Sequence, residues 1–316
     1  MKTKLLFLSF FMFTAFVSRA QDIAVQAPDN STIIYHDLNK AIYYAPSGST
    51  VFLPAGPLSI SDTTLIKKTL NIIGVGHRSD TEGGNTVVNG NLNYRLGSDG
   101  SSLMGIYLSG NVNIADANGA VNNFLLKFCN VNYVQVGSAL CNSIIINQNY
   151  VRISYNGGNS PIQFTNNLTY SITDVNGGLI CNNIIWCSVS RVNSTLIRNN
   201  IFLQVAVSTT PNCISINNMF IFSDFAWGNN SIYVTNWNDI FIKCNLSAAI
   251  DPICNYHFKS NIGKNAGTDG TDIGIYGGTG FSDTALPPYP QIVFKNIPAQ
   301  TDEFGNLKIQ VKVKAQ

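Results

Sequence analysis

Residues 164–203 read FTNNLTYSITDVNGGLICNNIIWCSVSRVNSTLIRNNIFL. Three asparagine pairs stand in this stretch, each followed by an apolar run. The pattern continues in both directions. Similar segments open at Asn122, Asn142, Asn166, Asn182, Asn199, Asn217 and, more loosely, Asn238, at steps of 16 to 24 residues. Self-similarity at about this period marks a solenoid.

Inside each unit the alternation is that of a strand. Phe124, Ile144, Leu168, Ile184, Ile201, Met219 and Ile240 follow the pairs directly. Two residues further stand Leu126, Ile146, Tyr170, Trp186, Leu203, Ile221 and Ile242. Period two predicts these two rows on one inward face. Lys127, Asn147, Ser171, Cys187, Gln204, Phe222 and Lys243 are then expected on the outer face. One strand per unit, stacked on its neighbours, makes a parallel β-helix. Asparagine tolerates the left-handed backbone of a sharp bend, and stacked amides can hydrogen-bond from coil to coil as a ladder. A leucine-rich repeat would need L-x-x-L-x-L with a helical segment, and neither is present.

The flanks extend this reading. HDLNKAIYYA, residues 36–45, predicts a short amphipathic helix capping the open end of the stack. A Gly- and Pro-rich segment begins at residue 263. The end, QIVFKNIPAQTDEFGNLKIQVKVKAQ, predicts a hairpin around residues 302–306, with Leu307, Ile309, Val311 and Val313 on a half-buried face and lysines on the wet one. The expected organisation is a signal peptide over 1–20, a cap over 21–48, the β-helix over 49–262, and a Gly/Pro-rich segment with C-terminal strands over 263–316.

Composition agrees. Of 316 residues, 45% are hydrophobic and only 11% charged, against roughly 25% in ordinary domains. The 40 asparagines supply much of the uncharged polar surface, and only Glu82 and Glu303 are glutamates. This excludes a coiled coil, a disordered chain and a basic nucleic-acid binder. Residues 1–20 have the form of a secretory leader, with Lys2 and Lys4, an apolar core and Ser18-Arg19-Ala20 before the cleavage point. Without them 16 basic residues face 17 acidic ones. No other apolar run is long enough to span a membrane. The expected location is secreted, periplasmic or at the cell surface. Seven cysteines follow the leader, read as small buried hydrophobes, and Cys244–Cys254 is the first pair to test for a disulfide.

STVFLPAGPLSI (from Ser49) and KTLNIIGVG (from Lys68), followed by the asparagine-led coils, resemble the start of right-handed β-helix proteins of the pectate-lyase-like superfamily. The tail GTDGTDIGIYGG with PPYPQI is similar to secreted β-helix proteins of Gram-negative bacteria. The resemblance covers roughly residues 45–295. It implies an all-β, right-handed parallel β-helix with an N-terminal cap and a C-terminal hairpin segment. Fold alone does not assign an activity, so the superfamily's enzyme motifs were sought individually. The DD, GHG and RIK strings of its hydrolases are absent, and its lyase arginine context is not found.

Glycoside hydrolysis needs two neighbouring carboxylates, and residues 119–242 hold only Asp174, Asp224 and Asp239. Asp174, Asp224, Arg191 and Arg198 are the catalytic candidates, the arginines because a guanidinium binds a uronate carboxylate bidentately. His36, His77 and His257 form no metal-ligand spacing, and Asp269 and Asp272 lack the further oxygens of a calcium loop. No metal or cofactor is expected, calcium entering only under a lyase reading. Asn147, Ser171 and Gln204 are the predicted ligand-binding row, with Trp227 and Trp237 able to stack on sugar rings. The leading expectation is a noncatalytic surface protein binding a polysaccharide or cell-surface glycan along its outer face. The alternatives are a divergent polysaccharide lyase or glycoside hydrolase, and a purely structural surface protein or adhesin.

Overall fold

The computed structural model describes residues 22–314 apart from 81–82, 205, 209, 222–227, 236–238, 245–250, 252–253, 285 and 297–299. The predicted leader, Asp224, Trp227, Trp237 and Asn238 lie outside the described residues. The chain is all-β, with 48% strand and 3% helix, and forms a parallel β-helix of about eight turns with a separate C-terminal hairpin sheet.

Each central coil has three sides, named here I, II and III in chain order. Side I stacks Leu125–Lys127 on Ile144–Asn147 and then on residues 162–165, 178–181 and 195–198. Side II holds residues 150–151, 168–169, 184–185 and 201–202. Side III holds residues 133–135, 154–156, 171–173 and 188–190. The core fills the space between them. Leu103, Leu126, Ile146, Phe164, Ile180 and Ile197 run in one fully buried file down side I. Val134, Tyr155, Ile172 and Val189 face them from side III. Full burial of such a side chain contributes about 1.5–3 kcal/mol.

The corner between sides I and II explains the asparagine pairs, and the two members do different things. The first residue takes the left-handed conformation, with φ of 55° at Asn166, 57° at Asn182, 56° at Asn199 and 51° at Asn217. The second builds an interior ladder. The backbone N–H groups of Asn149, Asn167, Asn183 and Asn200 donate to Oδ1 of Asn167, Asn183, Asn200 and Asn218, at 2.8 to 2.9 Å. Each Nδ2 donates to a carbonyl of the preceding coil, as Asn183 does to Phe164 at 2.8 Å. The amides of the ladder residues Asn149, Asn167, Asn183, Asn200 and Asn218 are thereby paired, as buried polar groups require.

Two expectations need correction. Asn122 and Asn142 do not share this corner. They lead into side I, where Asn142 N–H donates to Asn122 Oδ1 at 2.9 Å, and the step of 24 residues to Asn166 is the crossing from one corner to another. The predicted inward row is also reversed on side II. Leu168, Ile184, Ile201 and Met219 point outward into a second apolar cluster with Trp186, Leu203 and Ile221, while Ile185, Phe202 and Phe220 face the core. Tyr170, expected in the same inward row, is 37% exposed. Runs such as Ile184-Ile185-Trp186 are apolar on both faces, as strands covered on both sides are, so period two alone cannot tell inside from outside.

The cover over side II is residues 263–283, which run back along the stack as a strap. Successive first-position side chains hold it. Asn217 Nδ2 donates to Ala266 O at 2.9 Å, Thr268 N–H to Asn199 Oδ1 at 3.0 Å, Asn166 Nδ2 to Ile275 O at 2.8 Å, and Ser282 N–H to Gln148 Oε1 at 3.1 Å. Ile273 and Ile275 complete the second cluster. Gly274 lies at φ 86°, and a Cβ there would overlap Ile201 Cδ1.

The N-terminal end is capped. The predicted N-terminal helix forms over Leu38–Tyr44, with Asp37 Oδ1 capping Lys40 N–H at 2.8 Å. It buries Leu38, Ala41 and Ile42 beside the hairpin strands Ile23–Gln26 and Thr32–Tyr35. Lys68 Nζ donates to the carbonyls of Tyr43 and Ala45 at its C-terminus. At the other end Cys244 and Cys254 form the predicted disulfide near Phe241, Tyr256 and Phe258. The C-terminal hairpin pairs Gln291–Asn296 with Gln310–Lys314, and Asp302 N–H donates to Asn306 O at 2.8 Å in its turn. Its apolar row is exposed rather than half-buried, Val311 and Val313 included, because it pairs outside the solenoid sheet.

Candidate functional site

Side III differs from the other two in what it shows to solvent. Its inward residues alternate with outward polar ones. One outward row runs Asn113, Gln135, Asn156, Thr173 and Ser190, neighbours in register from coil to coil. The second runs Asn111, Tyr133 and Ser154, then Ser171 and Ser188, with Tyr155 beside Ile172 setting the step between. Neither row contains a charged residue. Gln135 is exposed and the others are half-buried. Asn113 Nδ2 donates to Asn93 Oδ1 at 2.8 Å, extending the amide file one coil further.

Charges border this strip in pairs. Asp174 and Arg191 sit at consecutive left-handed corners, φ 56° and 52°. The guanidinium donates twice to the carboxylate, Nε to Oδ1 at 2.5 Å and Nη2 to Oδ2 at 2.7 Å, and Asn156 Nδ2 adds a bond to Oδ2 at 3.0 Å. The bond from Arg191 is the main cause holding the Asp174 carboxyl below the usual carboxylate range, against a smaller burial effect. A depressed carboxylate stabilises the fold above its unfolded pKa and loses that contribution as pH falls through the folded value. On the opposite border the Arg152 guanidinium lies 4.7 Å over the Tyr107 ring, bonds its hydroxyl, and donates to Leu108 O at 2.7 Å.

The predicted site residues are divided among the sides. Ser171 lies on the strip. Gln204 is exposed on the ridge after side II, where its N–H donates to Trp186 O at 2.7 Å. Asn147 belongs to side I and donates to Thr165 Oγ1 at 2.8 Å. Asn147, Ser171, Cys187 and Gln204 are therefore not one row, and Ser171 pairs with Ser188 instead of Cys187. Arg198 is not beside Asp174 either. It ends side I next to Cys181 and donates to Thr268 Oγ1 of the strap at 3.1 Å. Asp269 and Asp272 serve turns, accepting from Thr271 and Asn265 backbone N–H groups. Among the described residues no group of three His, Cys, Asp or Glu side chains is placed to hold a metal ion, and no helix is long and apolar enough to cross a membrane.

No protein-family model, curated protein or solved structure matches the chain. The site is therefore read from its own geometry. Most of the strip went unrecognised in the sequence, yet a signal was there. Ser154-Tyr155-Asn156, Ser171-Ile172-Thr173 and Ser188-Val189-Ser190 repeat a polar–apolar–polar triplet four or five residues after each ladder asparagine.

Proposed function

We propose that the protein is a secreted or cell-surface β-helix protein that binds a neutral polysaccharide along side III without turning it over. The carrying observation is the pair of uncharged outward rows across at least five coils. Amides and hydroxyls there meet sugar hydroxyls without the desolvation cost of charged groups. Tyr133 adds a ring with a polar tip, the kind of surface that takes an apolar sugar face and a hydroxyl edge together. Rows one strand spacing apart, about 4.8 Å, suit a linear polymer lying along the stack.

The leader-like residues 1–20 and the resemblance to the pectate-lyase-like superfamily support an exported protein acting on extracellular polysaccharide. The border charges favour binding over cleavage. Arg191 donates to Asp174 through Nε and Nη2, so the carboxylate is committed to the ion pair rather than poised as a base on substrate. A glycan array on the mature protein, repeated in high salt, tests the reading. The expected result is retention of neutral glycans with little dependence on salt, weakened by replacing Ser171 and Ser188 together with glutamate. Calcium-dependent release of unsaturated product from pectate, abolished by Arg191→Ala, would put the lyase reading in its place.

A further inference from the structure

A second concavity lies on side I, away from the strip, at the first four coils. It encloses about 540 Å³, within the range of small-ligand sites. Its floor is the outer surface of a parallel sheet whose inward residues Val51, Ile72 and Leu103 are buried. Two rows cross that floor. Gln26, Thr50, Asn71 and Ser102 form a polar row in direct register, the Ser102 hydroxyl donating to Asn71 Oδ1 at 2.8 Å. Phe52, Ile73 and Met104 form a parallel apolar row. Among the described residues none that lines the groove is charged.

The wall comes from the far end of the chain. Beyond the strap, Pro287 packs on Gly105 so closely that the glycine has no room for a Cβ. Tyr289 N–H donates to Pro287 O at 2.8 Å, and the Tyr289 ring lines the groove while remaining 38% exposed. The groove is thus assembled from the N-terminal cap, the first coils and the C-terminal segment.

We infer that this groove is a second, independent binding site, and that its ligand is the end of a neutral saccharide chain. The lining excludes the other ligand classes. A uronate or phosphate would lose its hydration against an uncharged lining, since Lys127, next in register after Met104, holds its ammonium over the Phe128 ring. A purely apolar ligand would leave the amide and hydroxyl row unpaired. A peptide strand finds no free backbone on the floor, because side I strands are already paired on both edges. A sugar ring has what the two rows ask for: a hydroxyl edge for Gln26, Thr50, Asn71 and Ser102, and an apolar C–H face for Met104 and the Tyr289 ring.

Calorimetric titration of the full mature chain with cellohexaose, mannohexaose and trigalacturonate tests this. At least one neutral hexasaccharide should bind, and trigalacturonate should not. Tyr289→Ala should weaken that binding about tenfold and Asn71→Ala about fivefold, with Tyr289→Phe close to wild type. The titrations are run in the Ser171→Glu, Ser188→Glu background, in which the strip no longer takes neutral glycans, so that the binding read belongs to the groove and its loss is distinguishable from failure of the strip. Binding of neither neutral probe, equal binding of the acidic one, or wild-type affinity in Tyr289→Ala would each overturn the inference.

Discussion

Sides II and III are made by the same coils, a few residues apart, and they meet solvent in opposite ways. Side II turns Leu168, Ile184, Ile201 and Met219 outward, and the strap buries them. Side III turns Ser154, Ser171 and Ser188 outward, and nothing among the described residues lies over them. An outward apolar row on a solenoid requires a cover, because a large exposed apolar patch is an association site. A polar row requires none and stays available. Asn166, Asn199 and Asn217 serve the covered side twice. Each turns the chain into side II, and its side chain also fastens the cover.

The comparison can be broken most severely at the corner where side II begins. Asn183→Leu removes the partner of Asn167 N–H and of Phe164 O inside the stack. The expected loss is about 4 kcal/mol in chemical denaturation, and a loss below about 1 kcal/mol would show that the ladder is not structural. The next effect belongs to the covered side, near the strap's far end, where Arg78 Nη1 donates to Asp283 O at 2.8 Å. Burial, helped by the Arg78 charge, holds the neighbouring His77 imidazole down to about 4. Its folded pKa lies below the unfolded value of about 6.5. Stability is therefore full above pH ~6.5, and falls by up to about 3 kcal/mol towards pH ~4 as the unfolded chain takes a proton the folded chain refuses. His77→Gln should flatten that slope between pH 5 and 7, and an unchanged slope would refute the assignment.

Ile201→Ser sharpens the comparison directly. It should cost about 2 kcal/mol and raise binding of an apolar dye as the strap loosens. Asn199→Ala should cost about 1.5 kcal/mol, because alanine at φ 56° is strained and the bonds to Thr268 are lost. Ser188→Ala, one side away, should stay within about 0.5 kcal/mol in thermal or chemical denaturation. If Ser188→Ala and Ile201→Ser cost the same, the contrast between the sides fails.

How much of this was legible depends on which residue carried it. The solenoid followed from the repeat and the capping helix from its periodicity, while Cys244–Cys254 stood only as the first pair to test for a bridge. The direction of the side II row did not, because Ile184, Ile185 and Trp186 look alike to any hydropathy pattern. What decides among them is the strap, 77 to 99 residues further along the chain. The same error displaced the expected binding row, since the outer face was counted from the wrong member of each alternation. The ion pair of Asp174 with Arg191 was missed for a different reason. Both residues occupy left-handed corners, where strand alternation no longer says which way a side chain points.

The strap also changes how the molecule comes apart. In a plain solenoid each coil touches only its neighbours, so stability adds up coil by coil and the ends can fray. Here one segment is anchored to Asn217, Asn199, Asn166 and Gln148 in turn, its last residue, Asp283, reaches Arg78, and Pro287 just beyond it reaches Gly105. The strap therefore bolts late coils to early ones. Coils can stack as they leave the ribosome, but the bolt closes only once residues 263–287 have followed them. Until then the apolar row of side II is bare, and that interval, rather than the finished fold, is when the protein is most exposed to aggregation.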